Sequence, residues 1–431
     1  MKREIKMENN NKTLKWARLE NASKIFPATA NNKDTKVFRL SCQLKDQVNP
    51  IILQEALDIT RESFPVYNSV LRRGVFWYYF EYSDIRPIVT EESKPLGSPI
   101  YFKHSKNLLY RVFYYNKRIS VEMFHALTDG AGVSWFLETL VYHYIRLKYE
   151  DDFLGDVPTI SYKASISQKM RDSFEKNYRR KDKDRSNPKN KFKFKKAYIL
   201  KGNRNFENKT KLIEGTISVK EILDLSRSYG TSLTIFLTSL LLYSIYKEMP
   251  SKMVDKDVVL SVPINLRQFY QSQTARNFFS TMDIKYNFDK NSPEFKDIIE
   301  YVSGAFKDKL TEDKLDTYLD RFMVVEKNPI ARIMPLFLKD IALKLVNFFK
   351  DMTITSSISN VGQIQMHESF NPYIEKFIVS VSARRPQITM CSFNDKLVIS
   401  FMSPFEESDV ERVFFQELAK QGIGVSISSN M

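Results

Sequence analysis

Alternating apolar and polar positions predict a β-hairpin in the first half of the chain. Residues 107–115 and 118–124 are rich in Leu, Ile, Val, Tyr and Phe, and Asn116-Lys117 fits a two-residue turn between them. A helix is predicted next, because its apolar residues recur at helical spacing: Val133, Phe136, Leu137, Leu140, Val141 and Tyr144. The sequence thus predicts a strand, a loop and a helix, with Gly130 and Gly132 at the entry of the helix.

The remaining pattern predicts strands and helices in alternation along both halves. A strand is expected at 36–44, a helix from Pro50 that ends before Pro65, and a buried aromatic strand run within 70–82. Residues 231–246 are apolar but too short and too rich in hydroxyls for a membrane span, which favours a buried core helix. The other expected elements are strands at 212–219, 258–263, 377–381, 387–393 and 397–401, a helix at 220–229, an Asn394-Asp395 turn and a last helix near Ser408.

Residues 330–350 have an unusually apolar helical pattern that is interrupted mainly by cations. Two interpretations fit this segment. A helix packed between layers is favoured, and a helix lying on a membrane surface as a peripheral contact is the alternative.

Residues 171–204 show the sharpest change in composition, with ten Lys and Arg between residues 179 and 196, on both sides of Pro188. This stretch is typical of a solvated linker, and a docking surface for an anionic partner is the alternative. We therefore expect two mixed α/β halves, over residues 1–204 and 205–431.

Composition and charge limit the function classes. The 431 residues are 43% hydrophobic, enough for a large core, and 66 Lys and Arg against 51 Asp and Glu give a net charge of +15. This charge favours anionic partners, but no nucleic-acid motif accompanies it, so we expect no nucleic-acid binding. Two distant cysteines, Cys42 and Cys391, suit a reducing compartment, and the polar N-terminus has no signal-peptide pattern, so cytoplasm is the expected location.

The strongest candidate for chemistry is His125, which lies four residues before Asp129 and Gly130. Strand alternation places its side chain with Ile119, Val121 and Met123, where strand gives way to loop. A buried structural histidine is the alternative, but the spacing to Asp129 favours a working residue. The other histidines, His104, His143 and His367, lie in no metal-ligand pattern, and no phosphate-binding loop is present, so neither a metal nor a nucleotide motif is expected.

The stretch 125–130 resembles the His-x-x-x-Asp-Gly motif of the acyltransferase superfamily that includes chloramphenicol acetyltransferase, plant BAHD enzymes, condensation domains and alcohol acetyltransferases. It is most similar to the last group. Condensation domains usually carry a second histidine before the motif, where this chain has Phe124. The resemblance implies an α/β fold of two chloramphenicol-acetyltransferase-like halves with an active-site tunnel between them, and an ester-forming enzyme.

The resemblance also implies residue roles. His125 would be the general base, Gly130 would provide a turn, and Asp129 would pair with Arg267 of the Asn-x-Arg-like segment Asn265 to Arg267. A Ser-Asn-x-Gly-like segment near residue 360 would line the tunnel or donate to the oxyanion. The candidates for that task are Ser357, Ser359, Asn360, Gly362, Asn265 and Asn277, the last preceded by Arg276 where a small residue is expected.

The expected function is transfer of an acyl group, acetyl or longer, from a coenzyme A or carrier-protein thioester to a small-molecule or lipid-like alcohol. The thioester would be a substrate, with no permanently bound cofactor, and an acyl carrier protein is one candidate partner. Two alternatives remain open: a non-catalytic module of the same fold that binds an acyl carrier or lipid, and an amide-forming condensation enzyme. The sequence does not set the oligomeric state, and a monomer is compatible with it.

Overall fold

The structure of the protein is a computed structural model that describes residues 16–153, 158–160, 162–178, 195–204 and 209–430, without the side chains of 321, 322 and 324–327. It contains three β-sheets of five, seven and three strands with helices packed against them. The predicted mixed α/β class is confirmed. Most of the basic stretch, residues 179–194, lies outside the described residues.

The five-stranded sheet carries the predicted hairpin. Its order is β12-β2-β7-β6-β5, where β2 is Val37–Leu44, β5 is Thr90–Glu91, β6 is Tyr110–Tyr115, β7 is Arg118–Phe124 and β12 is Ile374–Val381. Strands β6 and β7 pair antiparallel, and Asn116 in the turn has a φ of 48°, a conformation that asparagine tolerates. The first sheet thus includes one strand from the C-terminal third, β12, which pairs with β2.

The seven-stranded sheet is built from the second half in the order β10-β9-β11-β13-β14-β8-β15. Only β11 runs parallel to its neighbours β9 and β13. Its pairing with β9 covers only Ser356 and Ser357, so the two strands separate towards their C-terminal ends. The strands are β8 Lys211–Ser218, β9 Asp257–Asn265, β10 Phe279–Asn287, β11 Ser356–Gln363, β13 Gln387–Phe393, β14 Lys396–Ser403 and β15 Ser426–Ser429.

The small sheet corrects the prediction for residues 70–82. These residues form two strands, β3 (Ser69–Arg73) and β4 (Tyr78–Tyr82), and β1 (Trp16–Arg18) pairs with β4. The turn between β3 and β4 exposes Val75 by 72% and Phe76 by 44%. The run of aromatic residues predicted a continuously buried strand, but only some of these residues, such as Tyr78 and Phe80, are buried.

Twelve α-helices connect the strands in the described ranges. Their bounds are α1 Ile25–Thr29, α2 Pro50–Glu62, α3 Gly130–Lys148, α4 Ile166–Met170, α5 Ser173–Asn177, α6 Val219–Ser228, α7 Leu233–Lys247, α8 Phe295–Lys309, α9 Glu312–Lys327, α10 Pro329–Ile333, α11 Leu336–Asp351 and α12 Asp409–Lys420. Helix α7 is mostly buried, as predicted. In the described ranges no single helix has the length and hydropathy of a membrane span. Helices α6 and α7 reach that length and hydropathy only when taken together, and a bend of 79° lies between them.

Residues 330–350 form two helices, because Pro335 separates α10 from α11 and leaves Met334 extended. The prediction that this segment packs between layers is wrong. Nine of its large apolar side chains, seven of them on α11, are exposed to solvent, although Leu336 is buried.

Two large apolar cores underlie the fold, one beneath each large sheet. The first core includes Phe370, Phe377, Cys391 and Phe393, so part of the C-terminal third packs with the first half of the chain. The boundary between residues 204 and 205 remains a prediction.

Candidate functional site

His125 lies immediately after the last residue of β7. Its backbone N–H donates to the Lys36 carbonyl at 2.8 Å, which holds this position beside the start of β2. The loop ends at Asp129, which caps α3 by accepting from Gly132 N at 3.2 Å. The structure therefore has the strand, loop and helix predicted around the motif.

Three aromatic rings surround the imidazole of His125. Phe26 stacks on it with ring centroids 4.5 Å apart, and Phe38 and Phe279 lie at 4.8 and 5.5 Å. The residue is partly exposed, but its Nδ1 is buried without a hydrogen-bond partner among the described residues. Burial lowers the pKa of His125 below 6.5, against a weaker opposing effect of Asp129. The ring is therefore neutral near pH 7, the form that can accept a proton.

Asp129 and Arg267 meet across the two halves. Arg267 Nη1 lies 2.8 Å from Asp129 Oδ2, and both side chains are about 5–6% exposed. The same carboxylate oxygen accepts from Phe278 N at 2.7 Å. Arg267 also donates to the carbonyls of Thr274 and Arg276. The pair thus joins the motif loop to the segment that links β9 and β10.

Gly132, and not Gly130, is the glycine that the packing requires. Gly130 begins α3 without a positive φ, so the turn expected of it is not the reason for glycine there, and a Cβ would lie 3.4 Å from Val361 Cγ2. A Cβ on Gly132 would lie 2.0 Å from Thr128 Oγ1 and 2.2 Å from the Ala275 carbonyl. The absence of a side chain at Gly132 lets the second half approach the first turn of α3.

Asn265 and Asn277 support the motif from the second half. Asn265 Oδ1 accepts from Arg267 N at 3.1 Å and lies within 3.3 Å of Arg267 Nη1. Asn277 is fully buried, and its Nδ2 donates to the His125 carbonyl at 2.9 Å and to Ser23 Oγ at 2.8 Å. Asn277 therefore positions the histidine backbone and presents no surface to a tunnel, contrary to the tunnel or oxyanion role expected for it.

The N-terminal segment contributes residues that the sequence gave no reason to single out. Ser23 Oγ donates to Glu20 Oε2 at 2.8 Å, and Glu20 forms a buried ion pair with Arg276. Burial lowers the pKa of Arg276 to about 10. A charged partner from a distant segment therefore explains how Arg276 occupies a position where a small residue was expected. No motif or periodicity marks Glu20 or Ser23, because their partners lie more than 250 residues away.

The segment from Ser357 to Gly362 is part of strand β11. A register shift between Asn360 and Gly362 interrupts its pairing with β13, and Gly362 has a φ of +97°. Ser357 Oγ donates to Gln387 Oε1 at 2.7 Å, and Asn360 is exposed, with Nδ2 3.1 Å from Thr234 Oγ1. Ser359 is half-buried and makes no side-chain hydrogen bond within the described ranges.

A cavity of about 340 Å³ opens where β9 and β11 separate. Its wall joins α3 to both strands and includes Glu138, whose pKa burial raises to about 8. His125 is not among its lining residues. These are Ala131, Ser134, Trp135, Glu138, Tyr162, Asn265, Gln273, Val361, Gln363, Ile364 and Gln365.

A second cavity, of about 450 Å³, lies on the other side of Gln273. Arg171, Lys176 and Arg267 give its wall three cationic side chains, and the rest of the wall is polar: Gln168, Ser173, Gln271, Ser272 and Gln273. Within the described part of the chain, no cluster of three His, Cys, Asp or Glu residues could hold a metal ion.

Comparisons with known proteins identify the fold. No family model matches the chain, and no curated protein matches its sequence. Solved structures do match it over nearly its whole length. Polyketide synthase associated protein 5 from Mycobacterium tuberculosis has a TM-score of 0.62 at 13% identity, with 94% of this chain and 96% of that chain covered.

Two further solved neighbours are a condensation domain and an O-acetyltransferase by name. The first condensation domain of the calcium-dependent antibiotic synthetase, in complex with a substrate analogue, has a TM-score of 0.64 at 13% identity, covering 94% and 96% of the two chains. Trichothecene 15-O-acetyltransferase from Fusarium sporotrichioides has a TM-score of 0.60 at 9% identity, covering 94% of each. The chain therefore has the same fold as this condensation domain and this acetyltransferase, and the fold resemblance predicted from the sequence is confirmed.

Proposed function

We propose that this protein is an acyltransferase that moves an acyl group from a coenzyme A or carrier-protein thioester to an alcohol. The observation that carries the proposal is the state of His125. Its ring is held in an aromatic clamp, partly exposed, with a lowered pKa, and the backbone around it is fixed from both halves. This is the arrangement of a positioned general base at neutral pH.

His125 would first accept a proton from the alcohol and then donate it to the departing thiolate. Since Nδ1 is the buried nitrogen, Nε2 would take the proton from the acceptor hydroxyl as its oxygen attacks the thioester carbonyl carbon. The new C–O bond gives a tetrahedral intermediate. When the C–S bond breaks, the departing thiolate takes the proton back from the imidazolium, so that ester and free thiol are the products and the base is regenerated.

Strand β11 is the proposed source of the oxyanion donor. Ser357 and Ser359 lie on one face of the strand, and Val361, at the register shift, lies beside Gly130 at the start of α3. Because Ser357 already donates to Gln387 and Asn360 is exposed, Ser359 is the best candidate among the serine and asparagine residues of this segment. A donor of this kind is worth about 100- to 1,000-fold in rate in other enzymes.

The cationic cavity beside Arg267 supports a donor that carries phosphate. Arg171 and Lys176 face a space large enough for part of such a ligand, and phosphates of coenzyme A or of a phosphopantetheine arm would complement them. A starter condensation domain of rhizomide synthetase, another solved neighbour, is in complex with C8-CoA. An acyl carrier protein remains the alternative donor partner.

The test is thioester turnover by the wild type and a His125→Gln variant. The glutamine keeps most of the side-chain volume within the aromatic clamp but removes the base. We expect turnover with an alcohol acceptor to fall at least about 100-fold. His104→Asn is the matched control, because His104 is exposed and lies in a positive-φ position that asparagine tolerates.

The acceptors in the assay decide among the alternatives. Ester formation with alcohols supports the proposal, and amide formation with amines alone would assign a condensation enzyme. Wild-type turnover in His125→Gln would refute His125 as the base. Stoichiometric binding of an acyl carrier without turnover of any acceptor would assign a non-catalytic module.

A further inference from the structure

Helix α11 turns its apolar face towards solvent, unlike an ordinary surface helix. Its polar residue Asp340 faces the protein, where Tyr78 Oη donates to it at 2.9 Å and Arg73 pairs with it at 3.3 Å. Seven of its large apolar side chains face solvent with 43–60% of their surface exposed, whereas Leu336 is buried. They are Phe337, Leu338, Ile341, Leu345, Val346, Phe348 and Phe349. A surface helix usually turns such residues towards the core, so this face is suited to contact with another apolar phase.

The exposed apolar residues of α11 form one continuous face. At about 100° per residue, the seven side chains cover about half of the helix circumference. Lys344 lies at one border of this face, and Lys339 and Lys350 lie at the other. Long cationic side chains at both borders of an apolar face are typical of helices in a membrane interface, where the amines reach the headgroups.

Neighbouring elements enlarge this face. The N–H of Leu336 donates to the Val75 carbonyl, and Lys339 Nζ donates to the Phe76 carbonyl, both at 2.8 Å. The exposed turn between β3 and β4 is therefore fixed beside α11. Ile330 and Ile333 of α10 add two more side chains, exposed by 69% and 72%. A patch built from three elements exceeds the scattered apolar residues that are normal on a protein surface.

The charge around the patch is positive. Between residues 328 and 350 the only acidic residue is Asp340, which is buried against Tyr78 and Arg73. The cations of this segment are Arg332, Lys339, Lys344 and Lys350. Anionic lipid headgroups complement this arrangement, and each cation near such a surface adds to binding in a salt-dependent way.

We propose that the patch formed by α10, α11 and the turn between β3 and β4 is a docking surface for an anionic membrane. The three elements bind side by side, with the apolar face of α11 at the level of the acyl chains and Lys344 and Lys350 at the headgroups. Helix α11 packs against α1, which carries Phe26, the ring stacked on His125. The membrane would thus lie one helix away from the proposed base.

The experiment is sedimentation of the full chain with vesicles of phosphatidylcholine and phosphatidylserine, compared with phosphatidylcholine alone. We expect binding to the anionic vesicles that weakens as salt rises. Ile341→Glu/Leu345→Glu should reduce the partition coefficient at least tenfold, and Lys344→Glu/Lys350→Glu should reduce it only for anionic vesicles. Ile51→Glu is the matched control, because Ile51 is a 77% exposed apolar residue on α2.

The variants change exposed positions, so their melting temperatures should equal that of the wild type. Unchanged vesicle binding by both double variants, or no binding by the wild type, would overturn the proposal. A concentration-dependent dimer that Ile341→Glu/Leu345→Glu abolishes, without vesicle binding, would instead assign the patch to a second copy of the chain. His125→Gln should bind vesicles as the wild type does, which separates this test from that of the catalytic proposal.

Discussion

The pair Asp129 and Arg267 gives the sharpest test of how the motif is held. The perturbation is the removal of either charge with little change in volume, by Asp129→Asn or Arg267→Gln. Both side chains are nearly inaccessible, and each satisfies several backbone groups in addition to its partner. Loss of one member therefore leaves the other charge buried without an opposite charge beside it.

The expected magnitude follows from this burial. Removing one partner of a buried ion pair costs about 3 to 5 kcal/mol of unfolding free energy. We expect Arg267→Gln at the upper end, because the carbonyls of Thr274 and Arg276 lose a charged donor as well. We expect Asp129→Asn at the lower end, since the asparagine oxygen can still accept from Gly132 N. The double variant should cost less than the sum of the single variants by at least about 1 kcal/mol.

The assay is urea unfolding of the wild type, both single variants and the double variant at neutral pH. The exposed pair Asp224 and Arg227 on α6 serves as the control, with side chains 58% and 70% exposed. Its equivalent variants should each change the unfolding free energy by less than about 1 kcal/mol. Single costs below about 1 kcal/mol at Asp129 and Arg267, or costs that add within about 0.5 kcal/mol, would refute the proposed coupling.

Three further predictions follow from the site. Gly132→Ala should lower the unfolding free energy by about 1–3 kcal/mol or more, because its Cβ would overlap Thr128 Oγ1 and the Ala275 carbonyl. The control Gly424→Ala, whose Cβ would lie in open space, should change the unfolding free energy little, and equal melting temperatures of the two variants would contradict the prediction. Burial lowers the pKa of His125, so the neutral base persists at lower pH and the acid limb of kcat/KM should have its midpoint below 6.5; a midpoint above 6.5 would contradict the burial argument. Arg171→Glu/Lys176→Glu should raise KM for acyl-coenzyme A but not for the phosphate-free N-acetylcysteamine thioester, and equal effects on both donors would exclude phosphate binding in this cavity.

Much of the secondary structure could be predicted from local pattern. The hairpin of β6 and β7, helix α3 after it, the buried helix α7 and the three strands β12, β13 and β14 lie where the apolar periodicity indicated. Periodicity succeeds for these elements because each buries a face whose spacing is fixed by its own backbone geometry. It failed for residues 70–82 and 330–350, where apolar letters are exposed, because burial depends on neighbours that the letters do not name.

The candidate site likewise contains some residues that were predicted from the sequence and others that only the structure shows. The motif spacing in the sequence singled out His125 and Asp129, and the family resemblance added Arg267. The structure brings Asp129 and Arg267 into contact. No sequence pattern marks Phe26, which stacks on the ring of His125. The same holds for Glu20 and Ser23, which connect Arg276 to Asn277.

The sequence by itself determined the strand, loop and helix around His125, and by resemblance the superfamily fold. Only the tertiary structure decided that Gly132 is the close-contact glycine, that Asn277 is a buried support, and that the apolar face of α11 points outward. The physical reason is that side-chain periodicity is a property of one element, whereas a close approach, a buried hydrogen-bond network and an exposed face are properties of several elements that meet only when the chain has folded.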